Sequence, residues 1–118
     1  MIKAKNEARE ELKRELLSAG LLAERFPAVA SIVVKMNYRR GRTSALLRTV
    51  NFIPGSPAFF RISCLGEGCE RGGLDLTWVI GSMIRRGEHS AKGELRCSNQ
   101  DPAVLHAEVD YDVSITYA

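Results

Sequence analysis

The feature that most constrains this chain is its tail, LHAEVDYDVSITY, residues 105–117. Leu105, Ala107, Val109, Tyr111, Val113, Ile115 and Tyr117 alternate there with His106, Glu108, Asp110, Asp112, Ser114 and Thr116. A helix would scatter these two sets around its circumference, whereas a strand sends them to opposite faces. Clean alternation of this kind belongs to an antiparallel sheet with one covered and one wet face. Something apolar has to cover the odd-numbered face. Leu76, Val79, Ile80, Met83 and Ile84 supply it, with the i, i+3, i+4, i+7, i+8 spacing of a buried helical stripe. Asp75 or Thr77 suits the start of that helix, Arg85 and Arg86 its last turn, and Gly87 its end. Val109, Tyr111, Val113 and Ile115 are therefore expected to face it.

Period two recurs upstream. Ile32, Val34, Met36 and Tyr38 alternate with Val33, Lys35, Asn37 and Arg39; a second strand is expected over 44–53, and Pro54-Gly55-Ser56-Pro57 closes it. Residues 58–64 and 92–97 read as two further strands. Residues 3–19 read as a helix with Ala8, Leu12, Leu16 and Ala19 on one stripe, Gly20 at its end, and Pro27 stopping any continuation through LLAERF. That helix is either a lid on the sheet or a partner surface. The fold class is α+β: an antiparallel sheet of about five strands, with an N-terminal helix and one helix inserted between strands 3 and 4. Residues 1–118 are read as a single domain, with 1–27 a helical segment and 28–118 the sheet and its helix.

Composition narrows the function. At 118 residues, 45% hydrophobic and 26% charged, the chain can bury a core without staples, and its net charge of +3 is too mild to demand nucleic acid or a membrane. Three cysteines fit a reducing interior better than a disulfide framework. The charged start is unlike a signal peptide, and no apolar run approaches a membrane span, so a cytoplasmic location without a membrane partner is expected. No nucleophile–base, P-loop or H-E-x-x-H pattern occurs, and an enzyme is not expected.

Two cysteines lie in CLGEGCERGGLDL, residues 64–76, where Gly66 and Gly68 permit a sharp return of the chain. Cys97 closes a later strand. The string C-x4-C-x2-GG followed by an apolar helix resembles the cysteine knuckle of primase-type zinc ribbons, and is similar to small uncharacterised bacterial proteins of that pattern. The resemblance covers about a dozen residues and implies a structural Zn on Cys64, Cys69 and Cys97, with nothing catalytic. His106 is the nearest fourth ligand, but it falls on the wet face while Cys64 and Cys97 fall in the inward phase of their strands. His89 and Glu70 are weaker substitutes. Two other readings stay open: buried reduced thiols, and a redox or disulfide pair.

Lys35, Arg39, Arg40, Arg42 and Arg48 gather on the first hairpin, with Arg61 and Arg71 nearby. A turn at Gly41-Arg42 would place Lys35 opposite Arg48, two like charges that require an anion between them. That anion is either phosphate, with Tyr38, Phe52 or Phe59 stacking on bases, or the acids of the tail strand. The RRGR tip projects beyond the sheet and is the best anion-binding candidate. Together these features lead to two expectations. One is a binding or scaffold module with a zinc-ribbon-like knuckle, contacting nucleic acid or an acidic protein. The other is a metal-free assembly protein that forms a homo-oligomer through its N-terminal helix or a sheet edge.

Overall fold

A computed structural model of the chain describes residues 10–11, 13–40, 43–63, 73–97 and 108–118. Its centre is strand β1 (Val29–Arg40), which pairs antiparallel with β2 (Thr43–Phe52) on one side and β6 (Glu108–Tyr117) on the other. Strand β5 (Ser90–Arg96) pairs with the far side of β6, giving the order β2-β1-β6-β5. The fold is α+β on an antiparallel sheet, as the tail alternation predicts, but the main sheet has four strands.

The difference lies around residue 60. The expected strand over 58–64 shrinks to β3 (Arg61–Ser63), which pairs only with a short β4 (Gly73–Asp75) in a separate two-stranded ribbon. Ile62 and Leu74 are opposite one another in that ribbon and both are buried in the common core. Three-residue strands are too short to show a period, so the ribbon could not be read from hydropathy.

The expected cover is present. Helix α2 (Thr77–Arg86) buries Ile80 and Met83, with Leu76 just before it also buried and Val79 and Ile84 packed alongside. Val109, Val113 and Ile115 lie in the same core, and Tyr111 packs against it. Asp75 starts the helix by accepting the Thr77 N–H at 2.9 Å. Gly87 ends it at φ 66, where its N–H bonds the Ile84 carbonyl and the Glu88 N–H bonds that of Met83. This double closure satisfies carbonyls that a helix end otherwise leaves open.

The N-terminal helix is seen at residues 10–11 and 13–18 and is exposed or half-buried there, while Ala8 and Leu12 lie outside the described residues. Gly20 ends it at φ 76, as expected. Pro27 does not prevent a helical turn before it: α1 (Leu22–Arg25) forms and buries Leu22 completely. Backbone bonds from Leu22 to Ser56, Ala23 to Pro54 and Ala58 to Gly20 tie this turn to the loop after β2. Phe60 seals that end of the core, edge-on to Phe52 and tilted against Phe26.

Register on β2 departs from the simple hairpin. Near the tip Arg40 pairs with Thr43, leaving residues 41–42 between them as the two-residue turn requires. A bulge between Tyr38 and Arg39 then inserts Ala45 as an extra residue, and Lys35 meets Thr49 instead of Arg48. The reason is burial. Shifting by one residue turns Phe52 and Val50 inward beside Ile32 and Val34, and leaves Leu47 exposed. Two large side chains gained for one lost favours the bulge.

Tyr117 joins the last strand to the end of α2. Its hydroxyl donates to the Glu88 carbonyl at 2.7 Å, with the Met83 carbonyl at 3.2 Å as a second, longer acceptor. Burial, aided by the Glu88 carboxylate, raises its ionisation above the usual value of 10.0. The unfolded chain therefore ionises first, so this contribution is complete below pH 10 and is lost as pH rises further. Tyr117→Phe should cost about 1 kcal/mol at neutral pH and flatten the alkaline decline, as read by urea denaturation across pH. An unchanged midpoint and an unchanged alkaline limb would show that the hydroxyl bond carries no stability.

Candidate functional site

The face of the sheet away from α2 carries almost all of the sheet's charge, and the register arranges it in rows across the strands. One row is Thr49, Lys35, Asp112, Lys92; the next is Leu47, Asn37, Asp110, Glu94; a third contains Arg39, Glu108, Arg96. In the first and third rows an acid of β6 is flanked by bases from β1 and β5. In the middle row Asp110 faces Glu94, an unfavourable pair of like charges.

Arg39 resolves that pair. Its guanidinium leans over the middle row, with Nε 2.8 Å from Asp110, Nη2 3.6 Å from Glu94 and Nη1 3.9 Å from Glu108. The Nε–H is buried and not aimed at the Asp110 oxygen, so this contact is ionic and not a directed hydrogen bond. The arginine side chain is only 21% exposed, which reduces solvent screening of the cluster. On the first row Lys92 approaches Asp112 at 3.9 Å. Lys35, Arg39, Lys92 and Arg96 thus balance Glu94, Glu108, Asp110 and Asp112, so the described residues of this face carry no net charge.

A groove of about 600 Å³ crosses this face. The backbone of Arg48, Met36, Tyr111 and Gly93 forms its floor, and side chains of the first two rows form its walls. It runs across the strands from β2 to β5. Gly93 makes its β5 end unusually close-packed from the other side: a Cβ there would meet the Tyr111 hydroxyl at 2.5 Å and its ring carbons at 2.7 and 2.9 Å. The tyrosine ring occupies the space that a side chain on β5 would need.

Among the residues singled out from sequence, Lys35 is exposed on the wet face and Arg48 is half-buried on the opposite face, opposite Met36, so the two do not confront each other. Arg39 is held by carboxylates. Arg40 ends β1, and Arg42 lies outside the described residues. Of the three residues offered as stacking platforms, Tyr38 and Phe52 are buried at 3% and 7% exposure and Phe59 is half-buried. Arg61 packs its stem over Gly73.

Of the cysteines, Cys97 is buried just beyond β5 in the inward phase expected of it. Cys64, Cys69, Glu70 and His106 lie outside the described residues. Ser63 and Gly73, the described residues on either side of the segment 64–72, pair with each other in the β3–β4 ribbon. His89 sits edge-on to Tyr117, with Nδ1 3.3 Å from the Ile115 carbonyl. The described residues include no cluster of three or more His, Cys, Asp or Glu side chains suited to a metal ion. Sequence reasoning overlooked Glu94, although K-G-E-L-R places it in phase with Lys92 and Arg96. Comparison with known proteins brings no match to a family model, a characterised protein or a solved structure.

Removing the arginine that holds the middle row should expose the conflict it resolves. Arg39→Ala is expected to lower stability by about 1 kcal/mol or somewhat more, and Glu94→Gln in that background should recover part of the loss. The gap should narrow in high salt. Chemical denaturation of wild type, Arg39→Ala and Arg39→Ala/Glu94→Gln at two salt concentrations checks this, and a salt-independent loss with no recovery would mean that Arg39 acts through packing alone.

Proposed function

We propose that this chain is a non-enzymatic assembly module that joins copies of itself by extending its antiparallel sheet at an open edge. The observation that carries the reading is the sheet order: β2 and β5 each have one hydrogen-bonded neighbour among the described strands. Such edges present rows of backbone donors and acceptors that readily accept another strand. The charge-balanced wet face adds support, because phosphate gains little from a surface whose cations are already matched by carboxylates. The buried positions of Tyr38 and Phe52 likewise favour a protein partner over stacked bases.

Sedimentation velocity over a concentration series tests this reading. A shift from one chain to two below about 100 µM is expected, an affinity of order 5–6 kcal/mol. A single-chain species throughout would contradict it. The same preparation mixed with nonspecific nucleic acid at low salt examines the other partner class, and tight, salt-sensitive binding would favour the RRGR tip, Arg40 and Arg42 included, as an anion site.

A second reading concerns the cysteines, and the buried, inward placement of Cys97 favours it. Together with Cys64 and Cys69 it would form a structural Zn knuckle on the segment between Ser63 and Gly73. If so, elemental analysis of protein purified without chelator should give about one Zn per chain, and Cys97→Ser should cost several kcal/mol, because binding energy at a structural site is folding energy. Metal-free protein with a loss of about 1 kcal/mol would assign Cys97 to ordinary core packing.

A further inference from the structure

We infer that the joining edge is β5 and that its occupant is the β5 strand of a second copy, antiparallel about a two-fold axis at Gly93. This rests on the assembly reading and names its edge, partner and register. A two-fold interface must be self-complementary, since each residue meets its counterpart twice. Centred on Gly93, the strand SAKGELR satisfies that condition: Lys92 meets Glu94 of the second copy, Glu94 meets its Lys92, and Ala91 meets its Leu95. Centring on Lys92 or on Glu94 would set like charges directly opposite, Lys92 on Lys92 or Glu94 on Glu94. Centring on Leu95 pairs Glu94 with Arg96 but leaves most of the strand without a counterpart. Only the Gly93 register uses the strand from Ser90 to Arg96.

The side chains are placed for it. Lys92 and Glu94 are 78% and 76% exposed, and their contacts within the chain, at 3.9 and 3.6 Å, are long enough to be exchanged for a partner's. Ala91 and Leu95 are half-buried at the rim of the core and would be covered. Gly93 brings no side chain of its own to the axis, and on the core face the Tyr111 ring of each copy covers it. Strand β2 offers no equivalent. TSALLRTVNF has one charged residue and no acid, so it provides no reciprocal ion pair with a copy of itself. One consequence follows for the groove: its β5 end is at Gly93, so the two grooves would meet at the axis and form one trough across eight strands.

The test compares wild type with Glu94→Lys, Lys92→Glu/Glu94→Lys and Leu47→Lys by sedimentation, with thermal melts to confirm folding. Within its own chain Glu94→Lys faces Asp110 but loses its contact with Arg39, a balance that the thermal melts check, while across the axis it sets Lys92 against lysine twice. It should weaken the dimer at least about tenfold, the double swap should restore it to within about threefold, and Leu47→Lys on the β2 edge should leave it unchanged. A wild-type dimer that ignores Glu94→Lys, is not restored by the swap, or is lost on Leu47→Lys overturns the β5 assignment and leaves the assembly reading standing. A wild type that stays single at all concentrations overturns both.

Discussion

Everything in this structure depends on the phase between β1 and β6. Ile32 lies opposite Ile115, Val34 opposite Val113 and Tyr38 opposite Val109, so one face of the sheet's centre is continuously apolar. Burial of those residues and their cover by α2 is the main source of stability, at roughly 25 cal/mol for each Å² removed from water. A slip of one residue would carry the acids Asp110 and Asp112 into the core, a cost no rearrangement of side chains could recover. The pairing is therefore strongly specified, and the other face inherits its charges as a consequence.

That inheritance shapes the wet face. Because Lys35 and Arg39 share a parity on β1, and Glu108, Asp110 and Asp112 share one on β6, fixing the core phase aligns bases beside acids. The charges cancel within the sheet and leave little field for a polyanion. Specificity then has to come from geometry at the edges. The two edges differ in kind: β5 alternates Lys92, Glu94 and Arg96 along its exposed face, while β2 carries Arg48 alone and exposes Leu47 at 76%. A charged edge resists indiscriminate pairing but admits a strand whose charges oppose its own.

Much of the fold was legible in the sequence because it rests on long periodic runs. Strands β1 and β6, helix α2 with its stripe, and the closures at Gly20 and Gly87 follow from spacing and from the special backbone freedom of glycine. The ribbon β3–β4 was not legible, since Arg61–Ser63 and Gly73–Asp75 are held by tertiary burial of Ile62 and Leu74. Nor was the bulge at Ala45: choosing Phe52 and Val50 over Leu47 depends on what β1 already presents, which no local pattern encodes. The candidate site was only partly legible. Lys35 and Arg48 were read as opposed cations with either phosphate or the tail-strand acids between them. Arg39 does lean on two of those acids, Asp110 and Glu108, whereas its contact with Glu94, two strands away, is set by the sheet order and was not legible. Of the proposed metal ligands, Cys97 falls among the described residues at the inward position its strand parity requires, and the substitute His89 is described against Tyr117.

Amide hydrogen exchange of the native chain, followed residue by residue at low and high protein concentration, tests the central claim most directly. The sheet order predicts slow exchange along β1 and β6 at any concentration, because both sides of each strand are hydrogen-bonded. It predicts fast exchange for alternate amides of β2. For β5 the outward-facing alternate amides, fast in dilute protein, should become protected as concentration rises while those of β2 do not. Outward amides of β5 that exchange equally fast at every concentration, or protection that grows on β2 instead, would contradict the account.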